Sequence, residues 1–257
     1  QRLVALPGDT SAIYDPLNAR YLLVGPDGKT GKDFRMEETA VGAGRGGGPG
    51  AGMRIGGNAP KGSDARGRLY YEAPPFSFSP DGPGSSSDTA AIVRYDRLTK
   101  KSDTVAWAHV PPPSVQTSGG RENRSVRITT NPFGARDDWA VSLDGSVGVM
   151  RAADYHVDWY ASTGAKKAGP PVKVERIAFT EADKEEYRKA RKSAVGMSVT
   201  NNNGNISRSA GPMTNIPDPE WPEYKAPFAA GGVFARPNGE LWVARARKAG
   251  DKVPRYD

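Results

Sequence analysis

A tight turn followed by an apolar run recurs four times in this chain, and this repeat limits the fold more than any other feature. The turns contain Asn or Gly, which adopt positive φ at low cost. The apolar runs that follow are typical of strands packed on both faces. The turn and run of each unit are Asn18 with 21–24, Arg66–Gly67 with 69–71, Asp144–Gly145 with 147–150, and Asn238–Gly239 with 241–243. The repeat predicts a series of similar β-sheets.

The length and spacing of the units indicate one architecture. Gly (31) and Pro (22) together make about a fifth of the 257 residues, more than a helical protein tolerates. Strand-rich repeats several tens of residues apart are typical of solenoids, arrays and propellers, and four-stranded units favour the propeller. We therefore predict an all-β chain that forms one domain over 1–257: a β-propeller, or an incomplete one, of four-stranded antiparallel blades with long Gly-, Pro- and Asn-rich loops. The blade-like units are expected near 1–38, 52–110, 133–175 and 222–257.

Two insertions interrupt the predicted blades, at 41–62 and 176–221. The first is Gly-rich, and the second contains the one convincing helix, near 181–194. Thr180 and Asp183 have the spacing of a capping box at the start of this helix.

Two polar segments are predicted to be irregular. The Asn- and Pro-rich stretch "NNNGNISRSAGPMTNIPDPEWPEYKAPF" follows the helix, and its composition is typical of loops. In the second unit, "FSFSPDGPGSSSDT" is expected to be a loop that displaces a partner strand.

The second half of the chain resembles a known family. The segments "DDWAVSLDGSVGVMRAADYHVDWYASTG", "TEADKEEYRKAR" and "GGVFARPNGELWVARARKAGDKVPRYD" resemble six-bladed β-propeller proteins of bacterial envelopes, relatives of the NHL and TolB-like propellers. The likeness covers most of 1–257 and is strongest from 133 onward. It implies an extracytoplasmic protein, soluble or lipid-anchored, usually without known catalytic residues.

Four units fall short of six blades. One or two blades are therefore expected to be missing, strongly divergent or replaced by the insertions. The start at Gln1 and the end in "GDKVPRYD" also predict truncation at both ends, with any leader absent.

The charge and the missing cysteines exclude several classes of function. The net charge of +7 favours an anionic partner, namely nucleic acid, lipid headgroups or an acidic protein face. The chain has no arginine-rich arm and no aromatic RNA-binding signature, which disfavours nucleic acid. It has no Cys, which excludes disulfides, Cys-zinc sites and thiol catalysis. It also has no apolar run of about 18 residues, so we expect no membrane span.

Catalytic patterns are weak throughout the sequence. His156 lies between Asp154 and Asp158, so a D-x-H-x-D metal site can be drawn. Three ligands on one strand rarely converge on a single ion, and we favour a surface histidine paired with these carboxylates. GxSxG, HExxH, Walker A and EF-hand patterns are all missing from the sequence. No catalytic, cofactor-binding or metal-binding residue is predicted.

Aromatic side chains are the main candidates for packing and for partner binding. Four tryptophans in strand-like stretches are expected in the core or between blades: Trp107, Trp139, Trp159 and Trp242. Trp221 and Tyr224 differ, because they lie in a Pro-rich segment where they fit a protein-interface anchor or fold back onto the propeller. The remaining predicted partner contacts lie in the insertions: Arg45, Met53, Arg54 and Arg208.

These patterns favour a non-enzymatic, extracytoplasmic propeller that acts as a binding or scaffold subunit. We expect it to be extrinsic to a membrane protein complex, for example a respiratory or photosynthetic one. The alternative is a metal-dependent propeller hydrolase or lactonase-like enzyme, in which Asp, Glu, Asn or His side chains of several blades converge on a metal in the central channel. The repeated strands offer mainly Tyr, Leu, Val and Trp, which favours the first interpretation.

Overall fold

The computed structural model describes residues 3–15, 20–36, 59–79, 82–112, 114–118, 125–192, 195–202, 205–212, 218–251 and 253–257. Within these ranges the chain is mostly β-strand with one helix, as predicted. In chain order the strands are β1 (Leu3–Leu6), β2 (Thr10–Asp15), β3 (Arg20–Val24), β4 (Gly62–Ser63), β5 (Leu69–Glu72), β6 (Phe76–Ser79), β7 (Gly82–Ser86), β8 (Thr89–Asp96), β9 (Lys101–His109), β10 (Ser114–Ser118), β11 (Ser125–Thr129), β12 (Asp138–Val141), β13 (Val147–Arg151), β14 (His156–Tyr160), β15 (Lys166–Ala168), β16 (Val195–Asn202), β17 (Asn205–Pro212), β18 (Phe228–Ala235) and β19 (Leu241–Arg245).

Four antiparallel sheets follow one another along the chain. Sheet I has the order β1-β2-β3, sheet II β4-β5-β8-β9, sheet III β12-β13-β14-β15, and sheet IV β18-β19. Sheets II and III therefore have the four strands expected of a blade. In the described residues sheet I has three strands and sheet IV two, with one further bridge between Ala244 and Tyr256. Each sheet lies in one of the predicted repeat units.

Three separate hairpins lie between the strands of these sheets: β6 with β7, β10 with β11, and β16 with β17. Two of them correct the prediction of irregular structure. The loop expected at "FSFSPDGPGSSSDT" contains β6 and β7, and part of the stretch after the helix forms β17 and the end of β16.

The reason for the second correction is visible in the sequence. The register pairs Asn202 with Asn205, which leaves Asn203 and Gly204 as the connection. Asn-Gly between two potential strands is a strong hairpin signal, and it outweighs the polar composition of the segment.

The single helix of the described residues, α1 (Glu181–Lys192), begins as predicted. The backbone N–H of Thr180 donates to Asp183 Oδ2 at 2.9 Å, and the backbone N–H of Asp183 donates to Thr180 Oγ1 at 3.4 Å. These reciprocal hydrogen bonds form the capping box. In the described part of the chain, no helix combines the length and the apolar character that crossing a membrane requires.

Consecutive sheets pack face to face, and their first strands are neighbours. β1 contacts β4, β4 contacts β12, and β12 contacts β18. The joint between sheets I and II buries Val4, Leu6, Ala12, Leu69, Tyr71, Ala91, Val93 and Tyr95. The joint between sheets II and III buries Tyr70, Ile92, Ala106, Ala108, Trp139, Val147 and Val149. The joint between sheets III and IV buries Ala140, Met150, Phe228, Val233 and Val243. This arrangement is compatible with part of a β-propeller.

The packing explains why the apolar runs differ in burial. Leu69, Tyr70 and Tyr71 are all buried, because sheet II has a neighbouring sheet on each face. The equivalent runs of sheets I and IV are buried only at alternate positions, as Tyr21 and Leu22 show, because each of these sheets has one packed face.

Trp107 was expected in the core or between blades, and this prediction is wrong. Trp139 is fully buried in the joint between sheets II and III, but the side chain of Trp107 is half exposed. Trp107 lies on β9, the outermost strand of sheet II, between Ala106 and Ala108, which face sheet III. Because side chains alternate along a strand, Trp107 faces away from that joint.

Asp138 joins the first strands of three sheets. This buried residue begins β12, as the sequence indicated for the Asp137–Asp138 pair. Its Oδ1 accepts a hydrogen bond from Lys61 Nζ, immediately before β4, and its Oδ2 accepts one from the backbone N–H of Val233 at 3.2 Å. A buried carboxylate is tolerated only where such partners replace water. Asp138 therefore fixes the position of sheet III relative to both of its neighbours.

Candidate functional site

A cleft of about 650 Å³ lies at one end of sheets III and IV. Separate parts of the chain form its walls: the loop 131–135 before β12, the turn 152–155 between β13 and β14, and the segments 172–177 and 220–227. Arg245 and Arg255 complete the wall at the end of sheet IV. The cleft therefore exists only because residues far apart in the sequence converge.

Two of these wall segments are held together by backbone hydrogen bonds. The N–H of Phe179 donates to the carbonyl of Glu223 at 2.9 Å, and the N–H of Lys225 donates to the carbonyl of Ile177 at 2.9 Å. Ala178 and Tyr224 form an isolated β-bridge between them. This pairing positions the Pro-rich segment along the cleft.

Trp221 belongs to an aromatic cluster with Phe133, Phe179 and Tyr187. Its ring centroid lies 5.2 Å from Phe133, 5.4 Å from Phe179 and 5.7 Å from Tyr187. Such distances are typical of favourable aromatic contacts. The cluster attaches α1, which carries Tyr187, to the loop before sheet III. Trp221 thus folds back onto the protein and remains half-buried at the edge of the cleft.

Tyr224 also lines the cleft and is half-buried. The guanidinium of Arg176 lies over its ring, 4.5 Å from the centroid. This stacking holds an exposed guanidinium in a fixed plane at the mouth of the cleft while leaving its N–H donors free of any ion pair within the described residues.

The cleft carries more positive than negative side chains. Its lining contains the basic residues Lys173, Arg176, Lys225, Arg245 and Arg255 and the acidic residues Asp154, Glu175 and Glu220. In the part of the chain that the structure describes, no hydrogen bond or ion pair engages the side chains of Lys173 and Arg255. Basic groups of this kind attract carboxylates and phosphates.

The other two basic groups are engaged within the protein. Lys225 Nζ lies 2.5 Å from Asp183 Oδ1. Burial would raise the pKa of Asp183, but its hydrogen bonds from Lys225 and Thr180 outweigh this effect and hold the pKa below the usual value. Arg245 Nε lies 2.5 Å from Asp257 Oδ2, and this hydrogen bond lowers the pKa of Asp257.

Tyr155 adds a buried hydroxyl to the wall beside that pair. Its Oη donates to Asp257 Oδ2 at 2.6 Å. Burial, together with this hydrogen bond, raises the pKa of Tyr155. The hydroxyl therefore stays protonated and acts as a donor that holds Asp257 against Arg245.

The predicted partner-binding residues have different outcomes. Trp221 and Tyr224 lie on the same cleft, and their role in binding a partner stays a prediction. Arg45, Met53 and Arg54 lie outside the described residues. Arg208 lies in β17 opposite Val199, but its side chain is outside the description.

The D-x-H-x-D stretch forms the pairing that the sequence favoured. His156 Nδ1 lies 2.5 Å from Asp154 Oδ1, and His156 Nε2 lies 3.5 Å from Asp158 Oδ1. Arg151 and Lys166 bind the other oxygen of Asp158 at 2.8 and 3.0 Å. Among the residues described, no three His, Cys, Asp or Glu side chains are grouped so that they could hold a metal ion.

Sequence reasoning missed the basic residues of the cleft, above all Lys173, Arg176 and Arg255. Each lies in a stretch without a motif, and the overall positive charge gave no reason to select them from the other basic residues. The one available signal was the Pro-rich segment with Trp221 and Tyr224, which does form one wall.

The chain was also compared with known proteins. It matches no protein-family model, and no curated protein matches it at a significant level.

Proposed function

We propose that this protein is a non-enzymatic binding module of the β-propeller type, and that its cleft binds an acidic segment of a protein partner. One observation carries the proposal: half-buried Trp221 and Tyr224 lie in the same cleft as Lys173, Arg176 and Arg255, which form no ion pair among the described residues. Trp, Tyr and Arg are the residues that most often dominate the binding energy of protein interfaces.

The geometry favours carboxylates as the partner's contacts. The Arg176 guanidinium is held against Tyr224 and presents a planar set of N–H donors, which matches a carboxylate in two-point contact. The aromatic rings offer apolar surface beside it, so an acidic segment with an apolar or aromatic side chain fits best. An extended peptide also suits a cleft that is open along its length.

A direct binding measurement tests this proposal. The probe is a fluorescently labelled oligoglutamate peptide, titrated with the protein and followed by anisotropy. We expect saturable binding that weakens as salt increases, with at least a tenfold loss in the double variant Arg176→Gln/Arg255→Gln. Arg66→Gln is the matched control, because Arg66 is an exposed arginine in the turn before β5, far from the cleft lining.

Two results would overturn the proposal. One is an oligoglutamate peptide that does not bind at any accessible concentration. The other is binding that the double variant and the Arg66→Gln control weaken to the same extent, since this would show attraction to the overall positive charge and not to the cleft. A labelled oligolysine peptide of equal length is the negative probe.

The wider setting of the module is also part of the proposal. We infer from the resemblance to NHL and TolB-like propellers that sheets I to IV are propeller blades, and that the protein works outside the cytoplasm as an extrinsic subunit of a membrane complex. Fractionation of source cells tests this: the protein is expected in the membrane fraction and is released by high salt. A protein found only in the cytoplasmic fraction contradicts it. Stoichiometric Ca²⁺ or Zn²⁺ in the purified protein would instead favour the hydrolase alternative.

A further inference from the structure

The two outermost sheets of the stack each leave one apolar face open. Sheets II and III have neighbours on both faces, whereas sheet I packs only on sheet II, and sheet IV only on sheet III. We propose that the open face of sheet I in one copy binds the open face of sheet IV in a second copy, so that copies of this chain associate head to tail.

The open face of sheet I carries a row of aliphatic side chains. The register places Leu3 opposite Ile13, and Ile13 opposite Leu22. These three residues therefore share a face, and it is opposite to the one that buries Val4 and Ala12. Leu3 is 64% exposed, although it is a large apolar residue, and Ile13 and Leu22 are only half-buried.

The open face of sheet IV is aromatic. Phe234 pairs with Trp242 in the register, and Ala244 pairs with Tyr256, so these side chains lie on the face opposite to Val233 and Val243. Phe234 is 49% exposed and Tyr256 is 45% exposed. The Trp242 and Tyr256 ring centroids are 5.7 Å apart, which makes a continuous aromatic surface.

The packing inside the chain indicates why a second copy is the occupant. Each of the three joints places an apolar face of one sheet on an apolar face of the next, and the joint between sheets II and III sets Trp139 against the aliphatic Ile92. An aliphatic face and an aromatic face are the two surfaces left over. Placing them together continues the same stack with the same chemistry.

The order of the sheets further favours head-to-tail contact over contact between identical faces. Within the chain, every joint brings the later face of one sheet onto the earlier face of the following sheet, with the first strands adjacent. Sheet IV of one copy on sheet I of the next repeats this relation. Such a contact is heterologous, so it produces chains or closed rings of copies and not only dimers.

Sedimentation velocity over a range of concentrations tests the proposal with two charge variants. Leu3→Lys blocks the face of sheet I, and Phe234→Lys blocks the face of sheet IV. The unmodified chain is expected to form larger species as its concentration rises, while each variant alone stays monomeric. An equimolar mixture of the two variants retains one intact pair of faces, so it should form dimers and nothing larger. Leu98→Lys, which changes a leucine that is 89% exposed in the turn between β8 and β9, should behave like the unmodified chain.

Three results would overturn the proposal: an unmodified chain that is monomeric at every concentration, association that both variants leave unchanged, or dimers of Leu3→Lys alone, which would indicate contact between two copies of sheet IV. A second measurement needs no substitution. Hydrogen exchange of the unmodified chain should slow in β1–β3 and β18–β19 as its concentration increases, and equal exchange at all concentrations would also reject the proposal. Circular dichroism confirms that each variant is folded.

Discussion

Arg151 Nη1 lies 2.6 Å from Asp137 Oδ2, and this ion pair fastens sheet III to sheet II. The same nitrogen donates to the carbonyl of Trp107 in β9 at 2.9 Å, and Arg151 Nε lies 2.8 Å from Asp158. Asp137 also accepts hydrogen bonds from the backbone N–H groups of His109 and Ala152. One largely buried guanidinium therefore compensates two buried carboxylates at a joint whose remaining contacts are apolar.

Removing this guanidinium should destabilise the protein strongly. Arg151→Gln leaves Asp137 and Asp158 buried without their shared cation, and breaking a buried ion pair costs about 3–5 kcal/mol. Urea denaturation followed by tryptophan fluorescence measures the loss. Arg20→Gln is the matched control, because Arg20 also contacts two carboxylates, Asp15 and Asp33, but at an exposed position. A loss no larger than that of the control would contradict the assigned role of Arg151.

Stability should fall at acid pH, in part because of Asp158. Burial would raise the pKa of Asp158, but hydrogen bonds from Lys166 and Arg151 outweigh it, so the folded pKa lies below the ordinary value of 3.8. A carboxylate with a lowered folded pKa contributes stability that is fully present above 3.8 and is lost as the pH falls through the folded value.

Denaturation curves from neutral pH down to strongly acid pH measure this effect. Asp158→Asn should be less stable than the unmodified chain at neutral pH, and the difference should shrink below the ordinary pKa of an aspartate. A constant difference across the whole range would show that Asp158 does not contribute to the acid sensitivity.

Two glycines with the same backbone conformation should respond differently to alanine. Gly145 and Gly239 both have φ of 86°, where a side chain costs about 1–2 kcal/mol. A Cβ on Gly239 would meet nothing within 4 Å, whereas a Cβ on Gly145 would lie 2.8 Å from Arg68 Nη2 and 3.1 Å from Asp64 Oδ2. Gly145→Ala should therefore destabilise more than Gly239→Ala in thermal denaturation. Equal losses would mean that only the backbone conformation matters at both sites.

The cap of α1 gives a fourth prediction. Thr180→Ala removes the hydroxyl that accepts from the N–H of Asp183, and the loss of such a cap costs about 1 kcal/mol. Thr180→Ser keeps the hydroxyl and should retain most of the stability. Because α1 holds Tyr187 against Trp221, the alanine variant should also change the fluorescence of the folded protein. Identical stability of the two variants would argue against the capping role.

Much of the local structure was predictable, because its causes lie within a few residues of each other. The turns at Gly145 and Gly239 follow from the low cost of positive φ for glycine, and the start of α1 follows from the three-residue spacing of Thr180 and Asp183. The hairpin of β16 and β17 was equally local, since Asn203–Gly204 lies between two potential strands, but the polar composition was given too much weight.

The sequence by itself therefore determined the all-β character, the repeated sheets and the position of the helix. Only the tertiary structure decided which faces are covered: Trp139 is buried and Trp107 is not, although both lie in similar strands, because burial depends on which sheet lies opposite. The cleft was decided in the same way. Arg176 and Arg255 become neighbours of Trp221 only when separate segments pack together, and no preference of the residues along the chain encodes that distance.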